Sequence, residues 1–184
     1  MRYHLGYFDD TDYCKRAQAL GFRTARSKGS YVYHKENTTF RNLSDNNKLF
    51  KDNERIFFER WGRPVRVGYI LDGSSASSSV DEIAISVARS GHQILFLMNR
   101  SSKWPVSIDH YDIRRIYIPR IFFSIISLYK IIKRKKKKKM DVIITDNDLM
   151  HKILNLSRPL HEAEVLMKPS LETLNSAINK ISKS

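Results

Sequence analysis

Between Thr11 and Leu20 the apolar residues Tyr13, Ala17 and Leu20 recur at helical spacing, and Lys15, Arg16 and Gln18 occupy the other faces. Thr11 offers a hydroxyl cap for this helix. Asp12 falls in its first turn, where the macrodipole favours an anion, and Gly21 supplies the stop. Two short extended pieces follow, FRTARS and SYVYHKE. A second amphipathic helix is then expected from Asp45 to Arg60, with Leu49, Phe50, Asn53, Phe57 and Trp61 at three- and four-residue spacing.

The pattern changes at WGRPVR, where Gly62 and Pro64 end the helix. VRVGYILDG is a continuous apolar run of the buried-strand type, GSSASSS a loop, SVDEIAISVARSGH an amphipathic helix stopped by Gly91, and QILFLMN a second buried strand. This order opens a parallel α/β sheet. Downstream come a strand in IRRIYIP, a helix in IFFSIISLYKII, a strand in KMDVIITDND, a short helix in LMHKILNLS and a terminal amphipathic helix in PSLETLNSAINKIS. The expected organisation is a first unit over 1–63, a Rossmann-like unit over 64–160 and a C-terminal helical piece over 161–184. The fold class is α/β, and no internal repeat is visible.

Composition narrows the partners rather than the fold. At 184 residues, 41% hydrophobic and 11% aromatic, the chain can bury a core. One cysteine, Cys14, excludes an internal disulfide framework and suits a reducing compartment. The N-terminus has no signal-peptide core, and no apolar run reaches the roughly 20 residues of a spanning helix. Lys+Arg is 33 against 19 for Asp+Glu, a net charge of +14, which favours anionic partners. Half of that charge sits in the seven consecutive basic residues Lys133 to Lys139. Three roles suit this run: a solvated helix end, a membrane-surface patch with IFFSII as its apolar companion, or a nucleic-acid patch. The last ranks lowest because aromatic interleaving and a nucleic-acid module are both missing.

The chemistry-bearing stretch is GYFDDTDYCKRAQALG. Carboxylates at a helix start stabilise it by about 0.3–1 kcal/mol each. Three within four positions repel one another, which a cation or a proton to be moved would explain. The stretch resembles the acceptor-side motif of inverting GT-A glycosyltransferases of family 2, "EDxDxCxRAxxxGY". Asp9 stands at the usual Glu and Asp10 at the paired Asp, with Asp12, Cys14, Arg16, Ala17 and Gly21 also matching. The likeness continues through YVYHKENTTF, with His34, into Asn53, Phe57, Trp61 and Gly62 of the N-x-x-x-F-x-x-x-W-G pattern.

This resemblance implies Asp10 as the general base for an acceptor hydroxyl, and Asp9 as the residue that orients the base or the acceptor. Asp12, third of the catalytic candidates, is expected to fix the helix or a nearby basic group. His34 is the candidate on the metal side, and Trp61 is expected in the core. The complete family domain carries Mn²⁺ or Mg²⁺ on a D-x-D pair of an N-terminal sheet that binds the nucleotide-sugar donor. Nothing before Gly6 supplies that sheet, so this chain alone is expected to bind no such cofactor and to be inactive.

The second unit is similar to the opening of the N-terminal domain of GT-B glycosyltransferases of family 4, through Gly73, Ala84, Gly91 and His92 and the KKKKKMDVIITDND layout. Its Ser-rich loop departs from the usual "GGxE". EVLMKPSLETLNSAINKI resembles the end of the GT-B C-terminal domain and equally suits a generic terminal helix.

The leading expectation is therefore part of a two-module glycosyltransferase of cell-surface polysaccharide or glycan assembly. It would be cytoplasmic, at the inner face of the membrane, with a nucleotide-sugar donor and a glycan or lipid-linked acceptor. The alternatives are a non-catalytic remnant or Rossmann-like binding subunit and, third, a basic protein that binds nucleic acid or a membrane surface.

Overall fold

The computed structural model describes residue 3 and residues 7–25, 27, 29–31, 33, 45–72, 78–100, 110–135 and 138–184. The chain divides into two compact units, Met1–Arg63 and Pro64–Ser182.

In the first unit, helix α1 spans Asp9–Ala19 and α2 spans Asn46–Trp61. Helix α1 starts two residues before Thr11, so Thr11 is not its cap. Phe8 holds the N-cap position without a side-chain cap, and the Thr11 hydroxyl donates instead to Asp10 Oδ1 at 3.2 Å. The stop at Gly21 is as expected. With φ at 87°, Gly21 donates its N–H to Gln18 O at 3.0 Å, and Phe22 donates to Ala17 O at 3.1 Å. Those two bonds form a Schellman motif. FRTARS shows no strand at its described residues, nor do Tyr31 and Tyr33 of SYVYHKE. Val32 and residues 34–36 of that piece, His34 included, lie outside the described residues.

The second unit is α/β, built on a five-stranded parallel sheet. Strands β1 (Arg66–Leu71), β2 (Gln93–Asn99), β3 (Ile113–Ile118), β4 (Val142–Thr145) and β5 (Glu164–Met167) stand in the order β3-β2-β1-β4-β5. Continuous apolar runs make such strands because both faces are covered. On one face α3 (Ser78–Arg89) and α7 (Leu171–Ser182) pack over Val67, Tyr69, Ile94, Phe96, Val142 and Ile144. On the other, α4 (Phe123–Ile132) and α5 (Asp148–Leu156) cover Ile70, Leu95, Leu97 and Ile143, and the short α6 (Arg158–His161) follows α5.

Helix α3 ends in a second Schellman motif at Gly91, where His92 N–H reaches Val87 O at 3.1 Å. The His92 ring then accepts Val65 N–H at 3.2 Å, tying the helix end to the start of β1. Residues 161–184, set apart in the sequence reading, supply β5 to the sheet edge, and Leu174 and Ile178 of α7 to the core. They complete the second unit. Among the described residues no helix is long and apolar enough to cross a membrane.

Candidate functional site

The first candidate is the start of α1. All three aspartates fall in its first turn, and the helical rotation separates them. Asp9 and Asp10 face outward and are exposed, whereas Asp12 is 5% exposed. Asp10 Oδ1 accepts the Thr11 backbone N–H at 2.7 Å.

Asp12 is held from four sides. Oδ1 accepts from the Trp61 indole at 2.7 Å, Arg60 at 2.9 Å and the Tyr3 hydroxyl at 3.0 Å, and Oδ2 accepts from Arg16 Nε at 2.9 Å. Burial alone would raise its carboxyl above the usual range. The bonds from Trp61, Tyr3 and Arg16, with the charge of Arg60, outweigh burial and hold it below that range. Asp12 is thus the clamp between α1 and the end of α2. Trp61, expected simply as core packing, is one of its donors.

The turn into α1 is strained. Tyr7 and Phe8 are consecutive non-glycine residues at φ 61° and 68°, a left-handed conformation that costs about 1–3 kcal/mol per residue. Packing holds them there. The Phe8 ring lies against Phe50 and Phe57, at centroid distances of 5.3 and 5.2 Å. The Tyr7 hydroxyl donates to Asn46 Oδ1 at 2.7 Å, and the fully buried Asn53 donates to Tyr7 O at 3.4 Å. Such a conformation, enforced by its surroundings, presents Asp9 and Asp10 at a fixed place.

A second cluster, not anticipated from sequence, lies at the carboxyl edge of the sheet between β1 and β4. The strand order reverses there, and open α/β sheets bind ligands at that point. Asp72 follows β1 directly and Asp146 follows β4. Asn147 donates to Asp72 Oδ2 at 3.1 Å while its own Oδ1 caps α5 by accepting Met150 N–H at 3.0 Å. Asn99, at the end of β2, donates to Asp72 O at 3.1 Å. The Tyr69 hydroxyl donates to Asp146 Oδ1 at 3.0 Å. Burial, and then the Asp146 charge and hydrogen bond, push the Tyr69 hydroxyl far up, so it remains a donor at any ordinary pH. The available signal was an aspartate directly after each of two buried strands, in ILDG and IITDND. The Ser-rich loop at residues 73–77, with Gly73, lies outside the described residues.

Among the described residues no group of three or more His, Cys, Asp or Glu side chains is placed to hold a metal ion. The exposed pair Asp9 and Asp10 does not by itself make a ligand set for Mn²⁺ or Mg²⁺. No family model, curated protein or solved structure matches the chain.

Proposed function

We propose that the chain is the acceptor-side segment of an inverting glycosyltransferase joined to a Rossmann-like unit of GT-B type. The observation that carries this reading is the division of labour on α1. One carboxylate of DDTD is locked as a structural clamp, and the other two stand exposed at the head of the same helix. In the reaction, Asp10 takes the proton of an acceptor hydroxyl as its oxygen attacks the anomeric carbon of a nucleotide-sugar. The nucleoside diphosphate leaves from the opposite face and the configuration inverts. Asp9 orients the acceptor, and Asp12 fixes the helix that carries both.

The test uses the product of the native locus, purified with every polypeptide that accompanies it. Nucleoside diphosphate release is followed over a panel of UDP- and GDP-sugars. Asp10→Asn should lower release by about 10²–10⁴-fold with an unchanged circular dichroism spectrum. Release that is insensitive to this change, or absent with every donor, removes the reading.

An anionic membrane surface is the partner favoured by a separate feature of the second unit. Ile121, Ile125 and Tyr129 are 86%, 71% and 59% exposed and recur every four residues along the outer side of α4 and the turn before it, with Phe122 beside them. The exposed Lys133 and Lys135 follow at once. Apolar anchors beside lysines suit an interface with acidic headgroups. Replacing Ile121 and Ile125 by Ser should abolish co-sedimentation with phosphatidylglycerol vesicles. Equal sedimentation with purely zwitterionic vesicles would refute the electrostatic part.

A further inference from the structure

The amino edge of the sheet, opposite the Asp72 cluster, opens into a cavity of about 590 Å³. Its walls carry Arg66 from β1, Arg114 from β3, and Arg134 and Lys138 from the connection between α4 and β4. We propose that this cavity binds a diphosphate group through these four cations.

The strands dictate the convergence. Arg66 and Arg114 share side-chain parity with Ile70 and Ile116, which pack on the α4 face, so both arginines leave the sheet on that side. Register places Arg66 beside Gln93 and Arg114 beside Leu95, with β2 alone between the two strands. Neighbouring strands are about 4.8 Å apart, so the two arginines flank a gap about two strand spacings wide. The chain leaving α4 brings Arg134 over this gap, where its guanidinium donates to Lys138 O at 3.3 Å. Gly68 leaves room for Met140, whose Cγ lies 3.2 Å from where a Cβ would stand, and Met140 forms part of the floor.

Among the described residues, these cations lack the carboxylate partners that others have. Arg16 and Arg60 hold Asp12, Arg55 holds Glu59, and Lys139, next in the basic run, holds Glu162 at 3.0 Å. Among the described residues, none of Arg66, Arg114, Arg134 or Lys138 forms an ion pair with a carboxylate. Asp112, the one acid among the described lining residues, lies 3.9 Å from His110. Arg115, also in the lining, is electrostatically coupled to Asp81 of α3. Burial, then repulsion from Arg66 and Arg114, lowers the proton affinity of Arg134, so the empty arrangement carries a like-charge cost.

A bound anion relieves that cost, and the apolar floor of Leu95, Ile116 and Met140 strengthens the attraction by excluding water. Three guanidinium forks and an ammonium match the several oxygens and multiple charge of a diphosphate better than a single carboxylate. The group is either free in solution or carried at the head of a lipid. The inference is independent of the α1 aspartates.

Calorimetry of the full chain with inorganic pyrophosphate at about 0.15 M salt tests the soluble source. Flotation with zwitterionic vesicles, with and without a long-chain alkyl diphosphate, tests the lipid source. Saturable binding of at least one probe is expected, and Arg114→Gln or Arg134→Gln should each weaken it at least about tenfold. Both variants should unfold at the same or a higher temperature than the parent without ligand, because each removes a like-charged neighbour. That separates loss of the site from loss of the fold. The double variant Lys180→Gln, Lys183→Gln removes two exposed charges outside both the lining and the α4 patch and should change binding no more than about twofold. Binding to pyrophosphate identifies a free diphosphate as sufficient, and binding confined to the doped vesicles identifies the lipid-borne form. Failure of both probes, or equal weakening by the lysine variant, overturns the proposal.

Discussion

Asp12 shows how a single residue of an acidic cluster can be a buried clamp while its neighbours stand exposed. Its carboxylate accepts four hydrogen bonds at 5% exposure, so Asp12→Ala leaves the Trp61 indole and the Arg60 guanidinium without their shared acceptor. The expected loss is about 2–3 kcal/mol in the first unit. Solvent screens the partly exposed Arg16 and reduces its share. The sign of the pH effect follows from the lowered folded value. The stabilisation is present above the unfolded value of 3.8 and is lost as pH falls through the lower folded value. Acid titration of thermal stability, followed by Trp61 fluorescence in a Trp104→Phe background, should show this loss, and Asp12→Asn should flatten it. An unchanged acid limb in Asp12→Asn would show that the clamp carries no ionic stabilisation.

At the level of elements, what could be read from sequence depended on whether the signal was local. β1, α3 and β2 were legible because long apolar runs, an amphipathic period and Gly91 lie within a few residues of one another. β5 was missed. It has only four residues, EVLM, at an edge where burial is partial, so neither an apolar run nor alternation marks it. The Tyr69–Asp146 bond joins residues 77 positions apart and exists only because β1 and β4 pair in parallel register, Tyr69 beside Ile144. Strand order is not encoded by local periodicity, so that cluster stayed hidden while the α1 aspartates did not. The caps, being local, yield firm expectations. Gly21 sits at φ 87° with nothing within 4 Å of an added Cβ, so Gly21→Ala meets no clash and pays only the left-handed backbone cost. Denaturant unfolding should register about 1 kcal/mol of destabilisation, with Gly21→Asn losing less. Asn147→Ala should lose a similar amount from the α5 cap and release its bond to Asp72.

On the scale of the whole chain, the two units differ in what they bury. Among the described residues, Phe57 is the one buried hydrophobic residue before Val65, while both core clusters lie between Val65 and Ile178. The first unit instead buries Asp12 and Asn53, polar groups whose value depends on complete hydrogen bonding. A cut after Arg63 therefore removes nothing from the sheet and its two helical layers. The fragment 64–184 should give a dispersed amide spectrum and a single cooperative unfolding transition, with a midpoint within a few degrees of the corresponding transition in the full chain. The fragment 1–63 should unfold at far lower denaturant, since so small a chain with so little apolar burial is marginal. The opposite ranking, a cooperative 1–63 and a collapsed 64–184, would mean that the sheet needs the helical unit to fold. Under the expected ranking the Asp72–Asp146 cluster at one sheet edge and the arginine-lined cavity at the other belong to a scaffold that stands alone. The exposed pair Asp9 and Asp10 then depends on the weaker unit, and within it on the Asp12 clamp. Loss of that clamp should therefore disturb the placement of Asp9 and Asp10 before it disturbs the amino-edge cavity.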